Sequence, residues 1–321
     1  MRQKADDWTY IELDADHVPD GVGHEPIAPD SGYVTVKVRS LRILDVRRGL
    51  KRFYGAVHSW TSVAHLRDSR ATFQSVTVPA ELENIDRKRC DRVISMEHSI
   101  LGPVPYRGGD LELELGLFSV ASDNLAGPFL RVLEGMSKAA GVTFMPAALP
   151  FVGPLTQGIE LLTGSAAGAM LEIGLAKAWE PTTGYYVIMR APRGRFQAQD
   201  VRFAQDQRLV DASGNAIRDY PYVVFSIEAA RERPNFFEIP DLKLAFDALN
   251  NEVRAGKLSA AEDAFAVFRR TALTSADLLF DDAQAIVRRA DAQVKEVLAG
   301  IQTATHAPLS LPELRDLSPF V

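Results

Sequence analysis

The chain has 321 residues, of which 46% are hydrophobic and 24% are charged. These values are typical of globular proteins and exclude a disordered chain, a collagen-like chain and a coiled-coil rod, and the length allows two domains. The single cysteine, Cys90, excludes an internal disulfide framework and a cysteine-rich zinc module, and the net charge of −6 argues against nucleic-acid binding.

The first element in chain order is an acidic arm over residues 1–31. Its first thirty residues hold two basic and eight acidic side chains, a difference of −6 that equals the net charge of the whole chain. Such an arm is either a solvated tail or a segment that docks on a basic surface of the chain or of a partner. Trp8, Tyr10, Ile11 and Leu13 favour docking, because a solvating tail rarely carries aromatic residues.

Residues 32–233 are predicted to form a β domain. Val34, Val36 and Val38 alternate with polar residues, and Leu111–Val120 places leucines on one face and glutamates on the other. Such alternation is typical of antiparallel sheets with one solvated face, and about eight evenly spaced strands favour a β-sandwich. The other predicted strands are 41–46, 53–66, 71–78, 92–100, 170–180, 185–190 and 222–228, with a hairpin at 209–218.

A helical insertion is predicted to interrupt the β domain at about 124–168, where apolar residues first follow a helical period. It overlaps the segment 139–176, whose only charged residues are Glu160 and Glu172. We expect this segment to be a buried helical hairpin that covers one end of the sandwich. The alternatives are a segment that inserts into a bilayer and a contact surface for another subunit.

A helical section of three helices is predicted over 234–305. The helices begin at Pro240, Ser259 and Thr274, because the serine and the threonine each open a pattern typical of a helix N-cap. The remaining predictions for this part are helix stops at Gly256 and Gly300 and an extended, proline-containing tail over 306–321.

This layout, antiparallel strands with a basic loop after the first one, resembles C2-type membrane-binding sandwiches in outline. The predicted fold class is therefore α+β: a C2-like antiparallel β-sandwich with a helical insertion, followed by a helical C-terminal section. No residue is carried over from that family, since its aspartate-rich calcium loops are absent from this sequence.

The sequence lacks the residue spacings that known catalytic and metal-binding motifs require. No Gly-x-Ser-x-Gly elbow or phosphate loop is present, so no catalytic residue and no cofactor are predicted. Cys90 and His98 are eight residues apart, which on a strand separates them by about 26 Å. His17 and His24 lie among the carboxylates of the arm, where adventitious binding of a divalent ion is the most that the pattern supports, and no metal site is predicted.

Basic residues crowd residues 37–52, and the predicted binding residues are Arg47, Arg48, Lys51 and Arg52. This cluster is either an ordinary solvated loop or a surface for an acidic partner, such as the arm or an anionic lipid. A second basic group contains Arg190, Arg193, Arg195 and Arg202.

The sequence thus predicts a non-enzymatic binding or assembly protein, an adaptor or scaffold of a cytoplasmic multi-protein system. Protein partners are expected to bind the helical section and the acidic arm, with anionic lipid a second candidate and no nucleic acid. One alternative is a membrane-active protein, peripheral at the membrane, whose segment 139–176 inserts when uncovered. The other is an unrecognised enzyme whose site contains Cys90, His58 and His98. The arm has no apolar run typical of a signal peptide, which agrees with the cytoplasmic expectation.

Overall fold

The computed structural model describes residues 9–44, 47–48, 51–65, 69–76, 93–121, 169–192, 194–303 and 310–318. Over these residues the chain combines antiparallel β-sheets with three α-helices in its C-terminal part. The mixed α+β content of the prediction is therefore confirmed. The predicted helical insertion at 124–168 lies outside the described residues.

The strands fall close to their predicted positions, and β1, β3 and β10 are additional strands. They are β1 (Thr9–Leu13), β2 (Tyr33–Arg42), β3 (Arg47–Arg48), β4 (Lys51–Ala64), β5 (Arg70–Val76), β6 (Val93–Pro105), β7 (Leu111–Ala121), β8 (Ala169–Trp179), β9 (Gly184–Met189), β10 (Val201–Phe203), β11 (Leu209–Asp211) and β12 (Tyr222–Ala230).

Two five-stranded sheets hold ten of these strands. The first has the order β1-β9-β12-β2-β6, and the second has the order β3-β4-β7-β8 with β5 also paired to β4. The pairs β1–β9, β9–β12, β4–β7 and β7–β8 are antiparallel. Strands β10 and β11 form a separate antiparallel pair. The predicted hairpin after β11 is also present, because an isolated bridge joins Val210 to Ala216 and the N–H groups of Asp211 and Ile217 donate to the carbonyls of Asn215 and Leu209.

The alternation read from the sequence matches the burial of the side chains. Val34, Val36 and Val38 of β2 are fully buried, whereas Thr35 and Lys37 between them are partly exposed. The four leucines of β7 are also buried at 2% exposure or less, and the intervening glutamates are partly exposed. Removing these apolar side chains from water stabilises the fold by about 1.5–3 kcal/mol each, which fixes the faces of both strands.

The predicted acidic arm over 1–31 belongs to the β region over residues 9–28. Strand β1 is an edge strand whose register runs from Thr9 opposite Met189 to Leu13 opposite Tyr185. Ile11, Leu13 and Val18 are buried in a cluster with residues of β9 to β12. The prediction that the arm docks is thus correct for these residues, but the surface that they contact is chiefly apolar and not basic.

The chain divides into two compact units. Pro29–Tyr33, Pro103–Pro105 and the chain from Ala230 onward form the second unit, and the remainder forms the first. The second unit contains α1 (Pro240–Arg254), α2 (Leu258–Leu273) and α3 (Phe280–Thr303). Its core joins all three helices, and within it the Phe246 and Phe268 rings lie 5.5 Å apart in an edge-to-face arrangement.

Two of the predicted helix starts are wrong. Helix α2 begins at Leu258, and Lys257 before it makes no capping hydrogen bond through its side chain. Thr274 follows the end of α2, where its hydroxyl donates to the carbonyl of Arg270 over 2.8 Å, and α3 begins only at Phe280. A threonine hydroxyl bonds backward to the preceding turn as readily as it caps a following helix.

The predicted stop at Gly256 is confirmed, since this residue follows α1 with φ of +70°. The stop at Gly300 is wrong, because α3 continues to Thr303. In the tail, Leu311, Leu314 and Leu317 are buried in the helical core, and Leu314–Leu317 forms a short 3-10 turn. The apolar spacing of these leucines, not the prolines, therefore decides the path of the tail.

Residues 169–176 belong to β8, which pairs with β7. A helical hairpin over the whole of 139–176 is therefore wrong at its C-terminal end, and residues 139–168 lie outside the described part of the chain. Among the helices that the structure describes, none combines the length and the apolar character that crossing a bilayer requires.

Candidate functional site

The four predicted binding residues come together on the β3–β4 hairpin. The register places Arg47 opposite Arg52 and Arg48 opposite Lys51. Directly opposed residues of an antiparallel pair have Cβ atoms about 4.5–5.5 Å apart, and like charges in that position are destabilising. The register therefore places the four basic residues as two opposed pairs at one edge of the second sheet.

Two other residues of the same basic cluster are paired within the first sheet. The Lys37 Nζ lies 2.8 Å from Oε2 of Glu228. Arg39, whose side chain is 13% exposed, donates to Ser226 Oγ over 2.9 Å, to Glu97 Oε1 over 2.8 Å and to Glu228. Partial burial of Glu228 acts to raise its pKa, but the Lys37 hydrogen bond and the Arg39 charge outweigh it and hold that pKa below its usual value. These two cations hold neighbouring strands together.

Arg42 and Arg190 also have structural roles. Arg42 is 5% exposed and donates to the carbonyl of Arg218 over 2.7 Å. Arg190 Nη1 lies 3.6 Å from a carboxylate oxygen of Glu172, a residue that is 1% exposed. A carboxylate this deeply buried needs a cationic partner, so Arg190 of the second basic group has a structural role. Arg193 lies outside the described residues.

The Cys/His alternative is only partly open to inspection, since Cys90 lies outside the described residues. His58 is 3% exposed, and burial lowers its pKa to about 4, so the ring is neutral at physiological pH. His98 Nε2 lies 2.6 Å from Ser75 Oγ, a contact between β6 and β5. A hydroxyl beside an imidazole is the first requirement of a nucleophilic dyad. No local spacing predicts it, because the two residues are on different strands, 23 positions apart.

A cluster of aromatic residues around Tyr186 is a further site that the sequence does not reveal. Tyr186 is fully buried and stacks on Tyr10 of the arm, with ring centroids 5.9 Å apart, and burial raises its pKa to about 12. The ammonium of Lys177 lies 3.7 Å above the Tyr10 ring and 3.7 Å from a carboxylate oxygen of Glu12. A cation over an aromatic face beside a carboxylate is favourable, so Lys177 fastens the arm to β8.

His24 completes this cluster. Its Nε2 donates to the carbonyl of Leu13 over 2.9 Å, and its Nδ1 lies 3.3 Å from the Tyr186 hydroxyl. Gly184 lies against the ring, and a Cβ at this position would be 2.7 Å from two atoms of the imidazole. The φ of Gly184 is +123°, which favours glycine. The close approach of backbone and ring thus requires glycine for two separate reasons.

Three residues of the arm lie in a position to bind a metal ion. Asp14, Asp16 and His17 each offer one ligand atom, and these atoms lie within 4.8 Å of one another. The other polar residues that the sequence groups with them are used elsewhere. Asp20 accepts a hydrogen bond from the Tyr185 hydroxyl over 2.6 Å, and His24 is bound as described above.

Comparisons of the chain with protein-family models, with curated proteins and with solved structures found no match.

Proposed function

We propose that this chain is a non-enzymatic binding and assembly protein, and that its β3–β4 hairpin binds an acidic surface of a partner protein. The observation that carries the proposal is the register of the hairpin, which opposes Arg47 to Arg52 and Arg48 to Lys51. Each opposed pair of like charges weakens the isolated hairpin. Places where a sequence keeps a locally unfavourable arrangement are commonly functional sites, because the partner supplies the missing interaction.

We infer that the partner of the hairpin is a molecule other than the acidic arm. Strand β1 lies at the edge of the first sheet, whereas β3 lies at the edge of the second. Two arm carboxylates are already paired beside β1, Glu12 with Lys177 and Asp20 with the Tyr185 hydroxyl. We therefore assign the hairpin to an acidic surface on another molecule.

The helical section supports a protein as the partner. Leu244, Val267 and Phe280 are 72%, 54% and 58% exposed, although the core between the helices is fully packed. Five of the six exposed large hydrophobic residues in the described chain lie in this section: Leu244, Leu258, Val267, Leu273 and Phe280. Single exposed apolar residues are common on protein surfaces, and it is the concentration of these five in one section that supports a protein partner here.

The fold proposed for this function is a C2-like sandwich in which the two five-stranded sheets pack face to face. The support is that each sheet buries one regular apolar face, the valines of β2 in one and the leucines of β7 in the other. Two such faces are covered most simply by each other. A rigid core of this kind holds the hairpin in a fixed orientation for a partner.

The test compares two quadruple variants of the full chain that change the net charge equally. One is R47Q/R48Q/K51Q/R52Q in the hairpin, and the matched control is K243Q/K257Q/R269Q/R270Q, at exposed positions of the helical section. The probes are a polyglutamate peptide and vesicles containing phosphatidylserine, each at low and at physiological salt. Binding affinity is measured by titration for the peptide and by flotation for the vesicles.

We expect the natural chain and the control to bind polyglutamate, with an affinity that falls as salt rises. The hairpin variant should bind about 10-fold more weakly or worse, because exposed charge contacts contribute up to about 1 kcal/mol each. Equal affinities for the two variants, or no binding by any chain, would overturn the proposal. Binding to the vesicles alone would also overturn it, in favour of the membrane-active alternative.

A further inference from the structure

We propose that Asp14, Asp16 and His17 form a binding site for a divalent transition-metal ion, separate from the hairpin. The three residues directly follow β1, and Ala15–His17 forms one 3-10 turn. The turn brings one ligand atom from each residue within 4.8 Å of the others. Two carboxylates and an imidazole are a common ligand set for such ions.

The position of His17 is the strongest support for this site. Its side chain is only 8% exposed, and Nδ1 lies 3.0 Å from the carbonyl oxygen of Ala198. A carbonyl can only accept a hydrogen bond, so Nδ1 carries the proton and the lone pair of the neutral ring is on Nε2. Metal-ligating histidines characteristically donate their other N–H to a backbone carbonyl in this way, which fixes the tautomer and the orientation of the ring.

No residue in the described part of the chain makes a hydrogen bond to Nε2 of His17, and Oδ2 of Asp16 lies 3.9 Å away. In the neutral ring this nitrogen is a hydrogen-bond acceptor. Its orientation towards a carboxylate, which is also an acceptor, leaves two lone pairs facing one another. A cation between them satisfies both.

The spacing allows an ion after a small adjustment. Zinc binds histidine nitrogen and carboxylate oxygen at about 2.0–2.2 Å with tetrahedral geometry, so two ligand atoms of one ion lie about 3.4 Å apart. The three atoms here lie within 4.8 Å of one another and need to close by up to about 1.4 Å. Asp14 and Asp16 are exposed and can rotate, whereas the ring of His17 is held in place. The nitrogen ligand favours Zn²⁺ over Ca²⁺ and Mg²⁺, which prefer oxygen ligands throughout.

Binding at this site connects two distant parts of the chain. His17 belongs to the arm, whereas Ala198 begins a 3-10 turn before β10, 181 positions later. An ion that fixes His17 holds the arm against that turn. Because the ion binds the folded chain, it raises the free energy of unfolding in proportion to the logarithm of its concentration above Kd.

The experiment uses the full chain without an affinity tag and has two readouts, calorimetric titration with Zn²⁺ and the melting temperature with and without Zn²⁺. The test variant is D14N/D16N, which keeps the shape of both side chains and the hydrogen bond of His17. The matched control is E25Q, an exposed carboxylate of the same arm. A third variant, C90S, tests the single thiol.

We expect one Zn²⁺ per chain, a higher melting temperature in its presence, and a Kd at least about 10-fold weaker for D14N/D16N than for E25Q. Ca²⁺ and Mg²⁺ should bind more weakly. Absence of Zn²⁺ binding, equal affinity for D14N/D16N and E25Q, or loss of binding in C90S would each overturn the proposal. A preference for Ca²⁺ would overturn the assigned metal class.

Discussion

The hydroxyl of Tyr33 donates a hydrogen bond to Oδ2 of Asp282, a residue 249 positions later in the chain. The hydroxyl oxygen of Tyr33 also accepts a hydrogen bond from the backbone N–H of Leu279 over 2.9 Å. Tyr33 is fully buried, and burial raises the pKa of the phenol and that of the Asp282 carboxyl. One hydroxyl therefore satisfies two polar groups at the first turn of α3.

Replacing Tyr33 with Phe tests this relationship. The substitution leaves the Asp282 carboxylate and the Leu279 N–H without their partner, and each buried unsatisfied group costs about 1–3 kcal/mol. We expect Tyr33→Phe to lower the free energy of unfolding in urea by about 2 kcal/mol. The control is Tyr220→Phe, since the Tyr220 hydroxyl makes no hydrogen bond to the described chain and should be lost at little cost. Equal losses in the two variants would contradict the assignment.

His58 predicts sensitivity to mild acid. Burial lowers its folded-state pKa to about 4, whereas an unfolded histidine titrates near 6.5. Between these pH values the unfolded state binds a proton that the folded state refuses, so the free energy of unfolding falls as the pH falls from about 6.5 to about 4. The total loss is about 3 kcal/mol for this shift.

The measurement is urea unfolding at several pH values between 4.5 and 7. Whatever its absolute stability, the variant His58→Gln should lack this part of the pH dependence, because glutamine does not titrate. An unchanged slope in His58→Gln would show that another group causes the acid sensitivity.

Buried tyrosines predict a loss of stability in alkali. Burial raises the pKa of Tyr186 to about 12 and raises those of Tyr10, Tyr33 and Tyr185 as well, whereas an unfolded phenol ionises near 10. Above pH 10 the unfolded state therefore binds fewer protons than the folded state, and the free energy of unfolding falls as the pH rises. The slope is at most about 1.4 kcal/mol per pH unit for each such phenol, and less for those partly exposed.

Urea unfolding at pH 9 and at pH 11, with phenolate absorbance followed in parallel, measures this effect. The phenolate signal of the buried tyrosines should appear together with unfolding and not before it. The variant Tyr33→Phe should show a shallower slope. Full ionisation of the tyrosines in a chain that stays folded would contradict the prediction.

Gly184 predicts a steric coupling to the arm. A Cβ at this position meets the His24 ring at 2.7 Å and also requires an unfavourable φ of +123°. Gly184→Ala should therefore destabilise the chain more than Gly214→Ala, where φ is +83° and nothing lies within 4 Å of the new Cβ. We expect about 1 kcal/mol for Gly214→Ala and about 2–3 kcal/mol for Gly184→Ala.

A double-mutant cycle with His24→Ala separates the two causes at Gly184. Removing the ring removes the clash but not the backbone strain, so the cost of Gly184→Ala should approach that of Gly214→Ala in this background. The free energies come from urea unfolding of the four chains of the cycle. Additive costs would show that the ring is not what excludes a side chain here.

The strands could be predicted because their residues alternate, and alternation is local. Val34, Val36 and Val38 identify β2 without any knowledge of its partners. The arm could not be placed in the same way, because pairing between Thr9 and Met189 depends on residues 180 positions apart. The helix starts failed for a different reason: the serine and threonine patterns at 259 and 274 also fit other local hydrogen bonds, and only packing decides between them.

The same distinction between local patterns and long-range contacts applies to the candidate sites. The four basic residues of the hairpin are close in sequence, and their clustering is visible there, but the opposition of like charges needs the register. Asp14, Asp16 and His17 are likewise neighbours in the sequence. They differ from an ordinary acidic stretch because the carbonyl of Ala198, 181 positions later in the sequence, accepts a hydrogen bond from Nδ1 of His17 and so fixes its tautomer.

The pairing of β1 with β9 also has a consequence for synthesis on the ribosome. Met189, the partner of Thr9, is translated 180 residues after it, a delay on the order of 10–40 s at about 5–20 residues per second. During that interval Ile11 and Leu13, which are buried in the finished fold, have no strand to cover them. These two apolar side chains are therefore a binding site for chaperones until β9 is made. The eight acidic residues among the first thirty favour solubility of the nascent arm during that time.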